Sequence, residues 1–132
     1  YLHDTVVPRT RLVEAMSGIY EIGERYGISM LNVFHAGDGN LHPLVAFDSK
    51  EPGMLDKVRA AADEMVKLSI EVGGALSGEH GIGVLKAPYL PMEQSPALIA
   101  LQQKIKDVFD PKHILNPGKL FPADAKKFHG AC

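Results

Sequence analysis

Apolar positions return every three or four residues along three stretches of the chain and follow strand-like patterns along others. After Thr10, an N-cap residue, Leu12, Val13, Met16, Ile19, Tyr20, Gly23 and Tyr26 recur at helical spacing, and Gly27 suits the stop. A second stripe runs through "EPGMLDKVRAAADEMVKLSIEVGG", where Leu55, Val58, Ala62, Met65, Ser69 and Val72 share a face and Gly73-Gly74 closes it. Ser95 and Pro96 supply the N-cap and first turn of a third helix, with Leu98, Leu101, Ile105 and Val108 turned inward. That helix should end at Asp110, because Pro111 disfavours helical geometry in the residue before it. "DTVV" at 4–7 reads as a short strand. Residues 28–36 and 41–47 read as the two flanks of a hairpin, and "ALSGEHGIGVLK" at 75–86 starts as a strand before turning glycine-rich.

Strand, helix, strand, strand, helix, strand is the ferredoxin-like order. It predicts an α+β fold: an antiparallel sheet with two helices on one face. A C-terminal helix and an extended arm are appended. The expected division is a ferredoxin-like cap or substrate domain over 1–87, helix and arm over 88–121 after a proline-rich link, and a loose tail over 122–132.

Composition narrows the function. At 132 residues, 45% hydrophobic and 23% charged, the chain suits one globular domain with a real core. A net charge of −2, no Lys/Arg run and no tryptophan give no case for nucleic acid. The single cysteine, Cys132, excludes an internal disulfide framework and makes a reducing, cytoplasmic setting the expectation. Any membrane association would come through partners, since no apolar run approaches the length of a span. The chain opens on Tyr1 and almost at once on a strand, so a fragment of a longer protein is expected.

The chemistry concentrates in "NVFHAGDGNLHPLVAF", residues 32–47, which holds two of the six histidines. Asp-Gly between strand-like runs favours a two-residue type I′ turn. With Asp38 and Gly39 at its centre, His35 pairs directly with His42, their Cβ atoms about 4.5–5.5 Å apart. Two imidazoles so placed can meet one zinc-like ion at about 2.0–2.1 Å, whereas a one-residue slip would send them to opposite faces. "SGEHGIG" offers a carboxylate in Glu79, leaving His80 free as an acid or base; adjacent side chains diverge, so the two should serve different partners. Two histidines, one carboxylate and open positions make a catalytic rather than a structural metal pattern.

The competing reading is plain: cross-strand histidines also occur as surface residues, and an exposed turn commonly carries a Glu. Other site types fall away. Counted from Asp38, the twelfth position is Ser49 rather than the glutamate an EF-hand requires. GEHGIG does not fit the dinucleotide fingerprint. His3, His113 and His129 are read as incidental, and Cys132 as no catalytic thiol. A non-catalytic ferredoxin-like module, binding a metal or ligand or dimerising through its sheet, is the alternative function.

Taken together, "HAGDGNLHP", "GGALSGEHGIGVLK" and "IKDVFDPKHILNPGKLF" resemble the C-terminal domain of FAD-linked 2-hydroxy-acid oxidases and dehydrogenases of the vanillyl-alcohol-oxidase type. Within that group the likeness is to glycolate oxidase flavin subunits, with D-lactate dehydrogenases as relatives. The resemblance implies oxidation of a small 2-hydroxy acid with FAD as hydride acceptor. It implies His35, His42 and Glu79 as ligands of a divalent, zinc-like metal, His80 as catalytic base, and Asn116 of the NPGK arm near flavin and substrate. Leu44 stands where some relatives carry an asparagine. The FAD-binding domain and a substrate-binding arginine would lie upstream. Partners so implied are that domain, other oxidase subunits or an electron acceptor, and self-association of the exposed face bearing His35, His42 and the arm at 113–121. The isolated fragment is expected to be inactive.

Overall fold

The computed structural model describes residues 1–121; the tail expected over 122–132, with His129 and Cys132, lies outside them. The chain divides into two compact units, one over Tyr1–His80 and one beginning at Gly81.

In the first unit β1 (Thr5–Val6), α1 (Leu12–Tyr26), β2 (Ser29–His35), β3 (Asn40–Ala46) and α2 (Met54–Glu71) follow in order. The sheet is antiparallel, with strand order β1-β3-β2. The fold is the α+β arrangement expected, with one reduction. The short strand anticipated at the start of 75–86 is a single antiparallel bridge from Ala75 to Val6, on the outer side of β1. Ala75 and Val6 exchange both amide bonds, and Thr5 Oγ1 donates to the Ala75 carbonyl at 2.9 Å. β1 is also short. Its ladder continues toward the N-terminus through His3 N to Pro43 O at 2.9 Å, but Pro43 has no N–H to return.

The core lies between one face of this sheet and the two helices. Leu41 and Val45 of β3 meet Ala15, Ile19 and Ile22 of α1 and Val58, Ala62 and Met65 of α2 in one buried cluster. The α2 stripe is as expected, Val58 through Val72 being buried. In α1, Val13 and Tyr20 are exposed, and Ala15 and Ile22 take the inward places. Large residues suggested a wider stripe. The contact with α2 runs instead along small positions, with Leu68 over Gly18, which lets the helices approach. Gly27 ends α1 in the left-handed conformation, as the sequence implied.

The second unit holds a 3₁₀ turn at Ala87–Tyr89, α3 (Leu90–Glu93) and α4 (Pro96–Phe109). Ser95 Oγ accepts the Leu98 amide, the predicted cap. Asp110 anchors the arm that follows: its carboxylate accepts the amides of Ile114 and Leu115, each at 3.0 Å, and the Lys106 ammonium. The Lys106 hydrogen bond, with those amides, holds the Asp110 carboxyl below the ordinary carboxylate range. One expectation fails here. Leu98, Leu101, Ile105 and Val108 are exposed rather than inward, at 42%, 54%, 51% and 76%. The period is helical as expected, but this apolar stripe is not buried within its own unit.

Candidate metal centre

The hairpin joins its strands by four residues, 36–39, rather than two. His35 pairs with Asn40, Phe34 with Leu41 and Val33 with His42. The amides of Asp38 and Gly39 both reach back to the His35 carbonyl, at 3.0 and 3.1 Å. The expected register was therefore two residues off, and the cause lies outside the hairpin. Gly39, at φ +75°, runs against the residue that follows β1: Val7 N donates to its carbonyl at 2.9 Å, and a Cβ there would stand 2.1 Å from Val7 O. Tertiary pairing overrides the local turn preference.

A slip of two preserves the face. His35 follows Val33 by two positions and so stays on the side of His42. The two rings meet edge-on, centroids 5.5 Å apart at 89°. This is the outer face of the sheet, away from the helices. The same face carries Asp4. Bridges at Leu2–Leu44 and Thr5–Leu41 set Asp4 opposite His42, between the hydrogen-bonded steps of the ladder, where side chains lie closest.

The 77–80 segment closes over this row. Glu79 Oε1 stands 2.9 Å from His42 Nε2 and 3.7 Å from His35 Nε2. The His80 ring stacks on His42, centroids 5.2 Å apart and 19° from parallel, with its Nε2 3.8 Å from Glu79 Oε1. Glu79 and His80 thus serve one cluster, contrary to the expectation that adjacent side chains diverge. Gly78 makes this possible, since a Cβ there would fall 2.3 Å from Asn40 Oδ1.

Ligating atoms of His35, His42 and Glu79 lie within 4.8 Å of one another. Around a tetrahedral ion with bonds of about 2.0–2.1 Å, donor atoms stand about 3.4 Å apart. The distances of 2.9 and 3.7 Å from Glu79 bracket that spacing, so this donor set fits a zinc-like ion. His35 and Glu79 are about half exposed, so the cluster is open to solvent on that side. A second grouping, Asp4, His42 and His80, shares His42. It is less suited, because the Asp4 carboxylate already accepts from Ser77 Oγ at 2.6 Å and from the Gly78, Glu79 and His80 amides at 3.1–3.3 Å.

Electrostatics favours a cation too. His42 stands between two carboxylates, Glu79 at Nε2 and Asp4 at Nδ1, the latter 3.8 Å away. A neutral imidazole carries one N–H and can face only one carboxylate as donor. A cation at Nε2 would leave the ring's N–H for the Asp4 side. Asp4 is the residue that sequence reasoning missed. Its one signal was an acid at the head of an otherwise apolar strand.

Asn116 belongs to the second unit, where it takes φ +46° in an exposed turn closed by Lys119 N on its carbonyl at 3.2 Å. A cavity of about 300 Å³ in that unit is lined by Lys106, His113 and Lys119 among others and shares no residue with the histidine cluster. Among the described residues no helix is long and apolar enough to cross a membrane.

Residues 1–120 match the family described as FAD linked oxidases, C-terminal domain. The chain belongs to this family. It is 42% identical over 126 residues to the glycolate oxidase subunit GlcD of Bacillus subtilis, covering 96% of this chain and 27% of that protein. To the subunit of the same name from Escherichia coli K12 it is 40% identical over 122 residues, 92% of this chain and 24% of that one. A D-lactate dehydrogenase of Archaeoglobus fulgidus is 40% identical over 119 residues, 89% of this chain and 26% of the relative. The chain thus spans about a quarter of the length of these relatives.

Proposed function

We propose that this domain is the substrate-facing part of an FAD-dependent oxidoreductase that converts a small 2-hydroxy acid, of the glycolate or D-lactate type, to the 2-oxo acid. The observation that carries the reading is the convergence of His35 Nε2, His42 Nε2 and Glu79 Oε1, in a chain of this family. These three side chains would hold a divalent metal. When bound, that ion supplies Lewis acidity toward the substrate's carboxylate and hydroxyl oxygens. FAD, held mostly by parts of the protein beyond this domain, supplies the acceptor for hydride from C2.

The chain's own residues then divide the remaining work. His80, stacked beside His42 and half exposed, takes the hydroxyl proton as general base. The loop at 77–80 fixes that imidazole next to the ligand set, so proton acceptor and substrate oxygen share one site. Asn116 presents its amide to flavin or substrate. The exposed apolar residues of α4 and the arm at 113–121 dock on the FAD-binding part of the protein.

The test is made in the full-length flavoprotein. His80→Ala should slow flavin reduction by a 2-hydroxy acid by about 10²–10⁴-fold while leaving bound metal unchanged. Wild-type reduction kinetics in that variant would remove His80 from the chemistry.

A further inference from the structure

The Asp4 carboxylate is almost wholly buried, at 1% exposure, where a charge without partners is strongly disfavoured. Four hydrogen bonds reach it from one loop. Ser77 Oγ donates at 2.6 Å, and the consecutive amides of Gly78, Glu79 and His80 donate at 3.1, 3.3 and 3.2 Å. Successive N–H groups turned to one side form an anion-binding concavity, and here the anion is the chain's own side chain. The loop so held carries both Glu79 and His80.

This carboxylate also faces the His42 ring, whose Nδ1 lies 3.8 Å from Asp4 Oδ1 and makes no hydrogen bond among the described residues. With a cation held at Nε2 beside Glu79 Oε1, the ring's one N–H must sit at Nδ1, on the side of Asp4. One buried side chain thus governs two independent pieces of the centre: the path of the 77–80 loop and the tautomer of the β3 histidine.

We propose that Asp4 is the positioning residue of the metal centre, a carboxylate that clamps the Glu79–His80 loop and orients His42 so that Nε2 and Oε1 converge on one cation. The inference rests on the reading of His35, His42 and Glu79 as ligands. Asp4 touches neither ion nor substrate in this scheme and acts through the residues that do.

Calorimetric titration of the purified protein with Zn²⁺ tests it, beside the ¹⁵N shifts of the His42 ring and amide exchange at Gly78, Glu79 and His80. The isosteric Asp4→Asn should bind Zn²⁺ about 10–100-fold more weakly than wild type. It should also exchange those three amides faster and, with Zn²⁺ added, hold less of the His42 ring in the Nδ1–H form. Ser77→Ala, which removes one loop contact and keeps the carboxylate at His42, should weaken binding by a smaller factor. If Asp4→Asn does not fold by circular dichroism, Ser77→Ala decides alone: weaker binding with faster exchange supports the clamp, and wild-type values overturn it. A folded Asp4→Asn with a lowered melting temperature but unchanged Zn²⁺ affinity and ring tautomer would be a structural residue only, and the proposal fails. Wild-type protein that takes up no Zn²⁺ overturns the ligand reading itself, and the positioning role with it; that result is read before any variant is made.

Discussion

Gly78→Ala adds a single methyl at the point where the loop bearing Glu79 and His80 crosses β3. Built on the present backbone, that carbon lies 2.3 Å from Asn40 Oδ1, 2.5 Å from Cγ and 2.8 Å from Nδ2. Ordinary contact begins near 3.4 Å, so the amide or the loop must move by about an ångström. Asn40 is 5% exposed and has little room, so the loop gives way. Overpacking of this kind costs about 1–3 kcal/mol. Displacement also stretches the Gly78 amide and Ser77 hydroxyl bonds to Asp4, each worth about 0.5–1.5 kcal/mol. The sum is a destabilisation of about 2–6 kcal/mol, read as a fall in the urea midpoint at constant slope. Gly37→Ala is the matched control in the hairpin loop: it has open space around the new carbon and no positive φ, so its midpoint should be unchanged or slightly higher. If the two variants unfold together, the loop is not wedged against Asn40, and the packing argument for the centre is wrong.

Three further outcomes follow from the packing and from Asp110. Leu41→Ala, at 0% exposure in the core, should cost about 2–5 kcal/mol in urea unfolding. Leu101→Ala, at 54% exposure on α4, should change stability by less than about 0.5 kcal/mol in the isolated domain; a loss as large as that of Leu41→Ala would mean the face is covered. The Asp110 carboxyl is depressed, so the anchoring it gives Ile114 and Leu115 is fully present above about pH 4 and lost as pH falls through its lowered value. Amide exchange at those two residues should show that acid-side loss in wild type, and Asp110→Asn should abolish the pH dependence; an unchanged profile in the variant would assign the anchoring elsewhere.

Much of this architecture was legible because helix stripes and caps are local signals. Ser95 caps α4, Gly27 stops α1 and Val58 to Val72 face inward, each for reasons contained within a few residues. The hairpin shows where locality ends. Asp38-Gly39 argued for a two-residue turn, yet Gly39 answers to the Val7 amide some thirty positions upstream. The histidines still share a face because the error was an even number of residues. Glu79 was identified as a ligand candidate by its chemistry, while its convergence with His80 on His42 depends on Asp4, 75 positions away. No periodicity encodes such a contact. The inward reading of Leu98, Leu101, Ile105 and Val108 failed differently: amphipathicity tells that a face wants burial, and does not tell against what.

On the reading proposed, three side chains from β2, β3 and the 77–80 loop form a single cation site. Zn²⁺ uptake by wild type, His35→Ala, His42→Ala and Glu79→Gln, followed by calorimetry on folded protein, addresses it most directly. One equivalent bound by wild type, with at least tenfold weaker binding in each of the three variants, is the result expected. Equal Zn²⁺ affinity across all four proteins, or none in wild type, would contradict it.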